Sequence, residues 1–317
     1  MKQPIHRCLR AFTLIELLVA VTIGILVVAL LVAVASSATT LWTRASGRIA
    51  TAATARAVLD QIESDLQCAV FRENGNVWLA ATVLTATNNS GIWVTSSSSR
   101  PSNESLVLTD ASIEEDRFGV AGTWLRFFTD VGGQNTANLR AVAYQIVRRA
   151  QSSASGAEVG YLLFRSVVND TNTFAAGYNL DPSAGGYTSA SATSGNAGNI
   201  IRPPLDTVLA DHVVDFGVRF YRYDTTVLQP LYPAINGAWT NSELTHLVRL
   251  GASGTSETVK PDVVEVMVRV LTEDGVRQLR NFENPPGGYV RSSTWWDIVT
   301  KNSHVYSRRI VLNQGSS

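Results

Sequence analysis

The sequence predicts an α+β fold in which one long N-terminal helix packs on a domain rich in antiparallel β-sheet. Three observations predict it. From Leu17 to Thr43 no residue is charged, and Glu16 is the only charged residue between Arg10 and Arg44. Apolar residues then recur at spacings of three and four through Ala45, Ile49, Ala52, Ala55, Leu59, Ile62, Leu66 and Ala69, the stripe of an amphipathic helix. From Val77 onward the period drops to two, in short runs separated by Asn-, Gly- and Ser-rich turns.

The helix comes first. A run of roughly twenty apolar residues is long enough to cross a bilayer. An acid within such a run costs about 2.5–3.5 kcal/mol at the bilayer centre, which makes Glu16 a candidate functional residue. One helix from Thr13 to Cys68 would be about 80 Å long at 1.5 Å per residue. Arg48, Arg56, Asp60, Glu63 and Asp65 fall on the faces beside the apolar stripe, and Gly47 is a point of local loosening. Asn74-Gly75-Asn76 marks the end of the segment. The chain therefore divides into a basic leader (1–11), a membrane-length helix (12–40), its amphipathic continuation (41–72) and a β-rich head (73–317).

The leader carries Lys2, Arg7 and Arg10 and no acid, which sets the N-terminus on the cytoplasmic side. Cleavage after Ala11 would leave Phe12 with a charged α-amine, one helical turn from Glu16. That carboxylate would offset the amine and the positive end of the helix dipole, or meet the amine of a neighbouring helix. Two other readings use the same residues. One is a signal-anchor helix with an incidental acid. The other is a secretory signal peptide cut at Ala33-Val34-Ala35 before Ser36, although the apolar segment outruns the h-region of such peptides and contains Glu16.

In the head, strands are predicted at Val77–Leu84, Ile92–Thr95, Ser105–Thr109, Thr123–Thr129, Leu139–Arg148 and Tyr161–Val168. The last two, joined across Gln151–Gly156, read as a hairpin, and Ile113–Arg117 reads as a solvated turn. Residues 169–199 hold Gly, Ser, Ala, Asn and Thr with only Asp170 and Asp181 charged, which reads as a long surface loop. Asn169, Asp170 and Asn172 could offer oxygen atoms to Ca²⁺, the single cofactor the composition suggests, at a spacing that matches no standard loop. Val214, Phe216, Val218 and Phe220 alternate with Asp215, Arg219, Tyr221 and Tyr223. Val264, Val266, Val268 and Val270 alternate with Glu265, Met267, Arg269 and Leu271. Each reads as a strand with one buried and one wetter face. Thr294-Trp295-Trp296 reads as a loop, and Val305–Leu312 as a closing strand.

The stretch Ala11-Phe12-Thr13-Leu14-Ile15-Glu16 resembles the N-terminal signal of type IV prepilins and type II secretion pseudopilins, with Ala11 where that family usually has Gly. The resemblance implies a prepilin peptidase that cuts before Phe12 and methylates the new amine, and a Glu16 that guides assembly. It further implies a pilin-like fold, partnership with other pilins or pseudopilins through the helix, and storage in a bacterial inner membrane as a single-pass protein. The head would be periplasmic or extracellular before the subunit joins a pilus or pseudopilus. Ala57–Leu66, Leu205–Asp224, Trp239, Pro261–Leu271 and Arg308-Arg309 follow one another as in the J-type minor pseudopilins. The Gly/Ser-rich insertions are similar to those of the prepilin-like Verru_Chthon cassette protein C group.

Composition narrows the chemistry. Removing the leader's three cations from a formally neutral chain leaves a net charge of −3, so no nucleic-acid partner is evident. Charged residues are only 16%, a balance that suits an exported β-rich protein better than a cytosolic enzyme. Cys8 and Cys68 are the only cysteines, and loss of the leader would leave one. His6, His212, His246 and His304 lack zinc-ligand spacing, and nucleophile-elbow, Walker and Rossmann glycine motifs are absent. Asp211-His212 is an adjacent acid–base pair, but neighbours on a strand point to opposite faces. The expectation is a non-enzymatic subunit.

Overall fold

A computed structural model describes residues 13–72, 74–83, 123–130, 139–152, 154, 157–180, 186–187, 195–200, 203–232, 247–250, 260–283, 287 and 295–312. The leader, the strands expected at Ile92–Thr95 and Ser105–Thr109, the turn at Ile113–Arg117 and Trp239 lie outside the described residues. Helix α1 spans Leu14–Gln67, within one residue of the expected ends. Its residues up to Ile49 belong to one compact unit, and Ala50–Ser317 form a second.

In the first unit the apolar side chains of α1 are exposed on all sides, from Leu14 to Ile49. A helix that is apolar all round is one that expects lipid or other apolar helices as its surroundings.

In the second unit α1 buries Thr51, Ala55, Val58, Leu59, Ile62, Asp65 and Leu66. The helical period was legible, but the stripe is displaced. Ala45, Ile49 and Ala52 are exposed, and Asp65 is turned inward rather than outward. Eleven strands follow among the described residues: β1 Ala69–Val70, β2 Leu79–Val83, β3 Thr123–Asp130, β4 Leu139–Ala150, β5 Val159–Val167, β6 Val208–Asp211, β7 Val213–Asp224, β8 Val227–Tyr232, β9 Leu247–Leu250, β10 Val263–Leu271 and β11 Ser303–Val311. They form a seven-stranded sheet, ordered β6-β5-β4-β3-β2-β9 with β1 also on β3, and a four-stranded sheet ordered β11-β10-β7-β8. The pairings are antiparallel. The fold is thus α+β, with the end of a long helix packed on antiparallel sheets.

Alternation decides which side chains meet the helix. On β3, Leu125 and Phe127 join Val142 and Tyr144 of β4 in a core shared with α1, Phe216 and Val218 of β7, and Val266 and Val268 of β10. Their neighbours Trp124 and Phe128 point the other way, into a second core with Trp78, Leu180, Tyr187 and Ile200. The expected β4–β5 hairpin is present, with Val142 opposite Val167 and Ala150 opposite Val159. β7 and β10 pair so that Val264, Val266 and Val268 face Phe220, Val218 and Phe216.

Three expectations need correction. The non-core faces of β7 and β10 are not uniformly wet: Asp215, Met267 and Arg269 are buried, and Arg269 Nη1 donates to Ser303 Oγ at 3.3 Å. Residues 169–199 are not structureless, since they contain helix α2 (Asp170–Ala176) and most of a 3₁₀ turn at Ala197–Ile200. Two further helices, α3 (Glu273–Glu283) and α4 (Trp295–Lys301), pack on each other; α4 begins where a loop was expected, and α3 occupies a stretch for which no element was predicted. In α3, Val276, Leu279 and Phe282 turn to the core at helical spacing, a pattern that the preceding valine alternation obscures.

Candidate assembly site on the N-terminal helix

The first turn of α1 is closed by its own side chains. Glu16 N donates to Thr13 Oγ1 at 3.3 Å, while Glu16 Oε2 accepts from Thr13 N and from Thr13 Oγ1, each at 3.0 Å. This is a reciprocal capping box, in which Thr at the cap and Glu three residues on satisfy each other's orphaned backbone groups. The sequence suggested the Phe12 amine as the partner of Glu16. Ala11 and Phe12 lie outside the described residues, and Thr13 is the partner the structure displays. Thr13 was not among the expected partners of Glu16, although Thr13-Leu14-Ile15-Glu16 carries the capping signature in its spacing.

Beyond Glu16 the helix offers no charge until Arg44, and its threonine hydroxyls are internally bonded. Thr22 donates to Val19 O at 2.9 Å, Thr39 to Ala35 O at 2.8 Å, Thr40 to Ser36 O at 2.9 Å and Thr43 to Thr39 O at 2.9 Å. Bonding back to the preceding turn leaves these donors satisfied where water is absent. The result is a helix long and apolar enough to cross a membrane, as befits an anchor or a signal segment.

Of the other residues singled out in the sequence, Asn169 and Asn172 hold local structure. Asn169 caps α2, its Oδ1 accepting from Asn172 N at 2.7 Å, and Asn172 Nδ2 donates to Gly195 O at 2.8 Å. Of the three residues suggested for calcium, Asn169 therefore has its side-chain oxygen engaged at a helix end. No group of three or more His, Cys, Asp or Glu side chains placed to hold a metal occurs among the described residues. Asp211 Oδ2 and His212 Nε2 lie 3.9 Å apart at the β6–β7 junction, where His212 takes a positive φ of 59°. Cys68 is exposed at the end of α1.

No family model, curated protein or solved structure matches the chain. The architecture itself, a long apolar N-terminal helix followed by antiparallel sheets, is pilin-like.

Proposed function

We propose that the protein is a prepilin-like subunit, cleaved between Ala11 and Phe12 and N-methylated on Phe12 by a prepilin peptidase. The subunit is held in the inner membrane by α1 and then assembled, through packing of that helix, into a type IV pilus or a type II secretion pseudopilus. The observation that carries this reading is a 54-residue helix whose apolar side chains are exposed over its first two-thirds and packed on sheets over the rest. A capped carboxylate at the head of the apolar half supports it, because a single acid at that position can serve helix–helix registration. The large second unit, Ala50–Ser317, favours a minor or tip position, since it would crowd a densely packed fibre. The protein works by assembly rather than by catalysis.

The test is the N-terminus of the mature protein purified from its own host, read by intact mass and N-terminal peptide mapping. Methylated Phe12 is the expected result. A terminus at Ser36 would make the protein a secreted soluble one, and an intact leader would make it a plain membrane anchor.

A further inference from the structure

The apolar half of α1 has two polar ends, and their separation is a length that can be compared with a bilayer. Glu16 and Arg44 are 28 residues apart on one helix, about 42 Å at 1.5 Å per residue. A bilayer including its headgroup layers is about 40–45 Å thick, around a hydrocarbon core of about 30 Å. If Glu16 sits at one headgroup layer, Trp42 and Arg44 reach the other. The acid then need not lie in hydrocarbon at all.

The local chemistry fits that placement. Trp42 is 78% exposed on the helix, and indole rings concentrate at membrane–water interfaces because one edge is apolar and the N–H needs a partner. Leu41, 66% exposed, lies on the membrane side, and Arg44, also exposed, lies on the water side with Arg48 one turn further. No acid lies between Glu16 and Asp60, so the far end of the span carries net positive charge. The hydroxyls of Thr39, Thr40 and Thr43 bond back to the preceding turn, so these three donors are satisfied as the helix passes from hydrocarbon to headgroup.

We infer that Trp42 and Arg44 form a lipid-binding collar that takes anionic phospholipid headgroups and sets the depth of α1. The inference rests on α1 being a membrane helix, and the partner is a lipid surface. Before assembly the collar pins the helix. Extraction into a filament must break these headgroup contacts.

The experiment uses the full chain with Cys8→Ser and Cys68→Ser, reconstituted into phosphatidylglycerol or phosphatidylcholine vesicles. Single spin labels at Val28→Cys and Leu41→Cys report depth, and native mass spectrometry reports retained lipid. The Val28 label should lie at the bilayer centre and the Leu41 label at the base of the headgroups. Phosphatidylglycerol should be retained in preference to phosphatidylcholine, with Arg44→Glu cutting that preference roughly fivefold or more and Arg44→Lys preserving it. A central Val28 label with Leu41 in deep hydrocarbon or open water would overturn the collar alone. So would unchanged lipid preference in Arg44→Glu. A water-exposed Val28 label would overturn the membrane reading with it.

Discussion

Arg165 of β5 grips Asp65 of α1 with two parallel hydrogen bonds, Nε to Oδ2 at 2.7 Å and Nη2 to Oδ1 at 2.8 Å. Tyr144 of β4 donates its hydroxyl to the same carboxylate, and Gln61 Nε2 approaches Oδ1 at 3.2 Å. Asp65 is nearly removed from water, with a side chain 7% exposed against 27% for Arg165. One helix carboxylate is thereby tied to two neighbouring strands of the large sheet. Partnership with Asp65 raises the Arg165 guanidinium above its ordinary range.

Asp65→Ala should be strongly destabilising, because it strands a half-buried guanidinium and a buried phenol without their acceptor. Loss of one member of a buried pair costs about 3–5 kcal/mol, and the partial exposure of Arg165 puts this case near the lower end. Denaturant unfolding of the full chain in detergent, followed by circular dichroism, measures it. A loss below about 1 kcal/mol would mean that the triad contributes no more than a surface pair.

A contrast tests what holds α1 to the sheets. Arg308 Nη1 of β11 contacts Asp60 Oδ1 and Glu63 Oε2, both at 2.6 Å, but the carboxylates are partly exposed. Arg308→Ala should cost at most about 1 kcal/mol and should weaken further in its effect as salt rises. Ile62→Ala, which empties a fully buried site, should cost about 2–5 kcal/mol and be indifferent to salt. The same unfolding experiment at low and high ionic strength separates them.

Alkaline pH should loosen the head. Burial, and then the neighbouring Asp65 charge, push the Tyr144 phenol well above its ordinary value of 10.0, and burial also raises Tyr187. Their folded values exceed their unfolded ones, so the stability they contribute is complete below about pH 10. It is lost as pH rises past about 10, where the unfolded chain releases these protons first. Stability measured from about pH 8 to 12 should fall above about 10, and Tyr144→Phe should show a shallower fall. A slope unchanged by that substitution would remove Tyr144 as a source.

Glu16→Ala should leave the folded head intact and sharply reduce recovery of the protein in sheared filaments, while membrane fractions retain it. Thr13→Val, which removes the hydroxyl of the capping box, should cause a smaller loss. Normal incorporation of Glu16→Ala would end the assembly role given to that carboxylate.

Asn169→Ala should destabilise the α2 region by about 1 kcal/mol through loss of a helix cap. Millimolar Ca²⁺ should leave the melting temperature of the wild type unchanged. A calcium-dependent rise that Asn169→Ala abolishes would establish a calcium site there.

Much of this was legible in residue order. The helix ends were readable because an uncharged run followed by a three–four repeat is a local signal. β7 and β10 were readable because strict alternation over Val214–Phe220 and Val264–Val270 leaves few other structures. The short strands β8 and β9 and the helices α2 and α4 were not, since each is about one or two turns or a few residues long and draws its definition from neighbours distant in sequence. The capping role of Asn169 was hidden for a related reason: an Asn oxygen that caps a helix and one that could meet a cation are the same atom until the chain around it is placed.

Residue order alone establishes that a long helix precedes the sheets, that its first half is apolar on every side and that Glu16 is the lone charge there. Periodicity encodes which residues share a face, and it does so within a few turns of chain. What covers each face is set by packing between segments far apart in the chain. Asp65, rather than Asp60 or Glu63, is the carboxylate drawn inward because Arg165, a hundred residues away, and Tyr144 converge on it. The supposedly wet sides of β7 and β10 are closed over Asp215, Met267 and Arg269. Burial is a property of what packs against a surface, and that partner is written elsewhere in the chain.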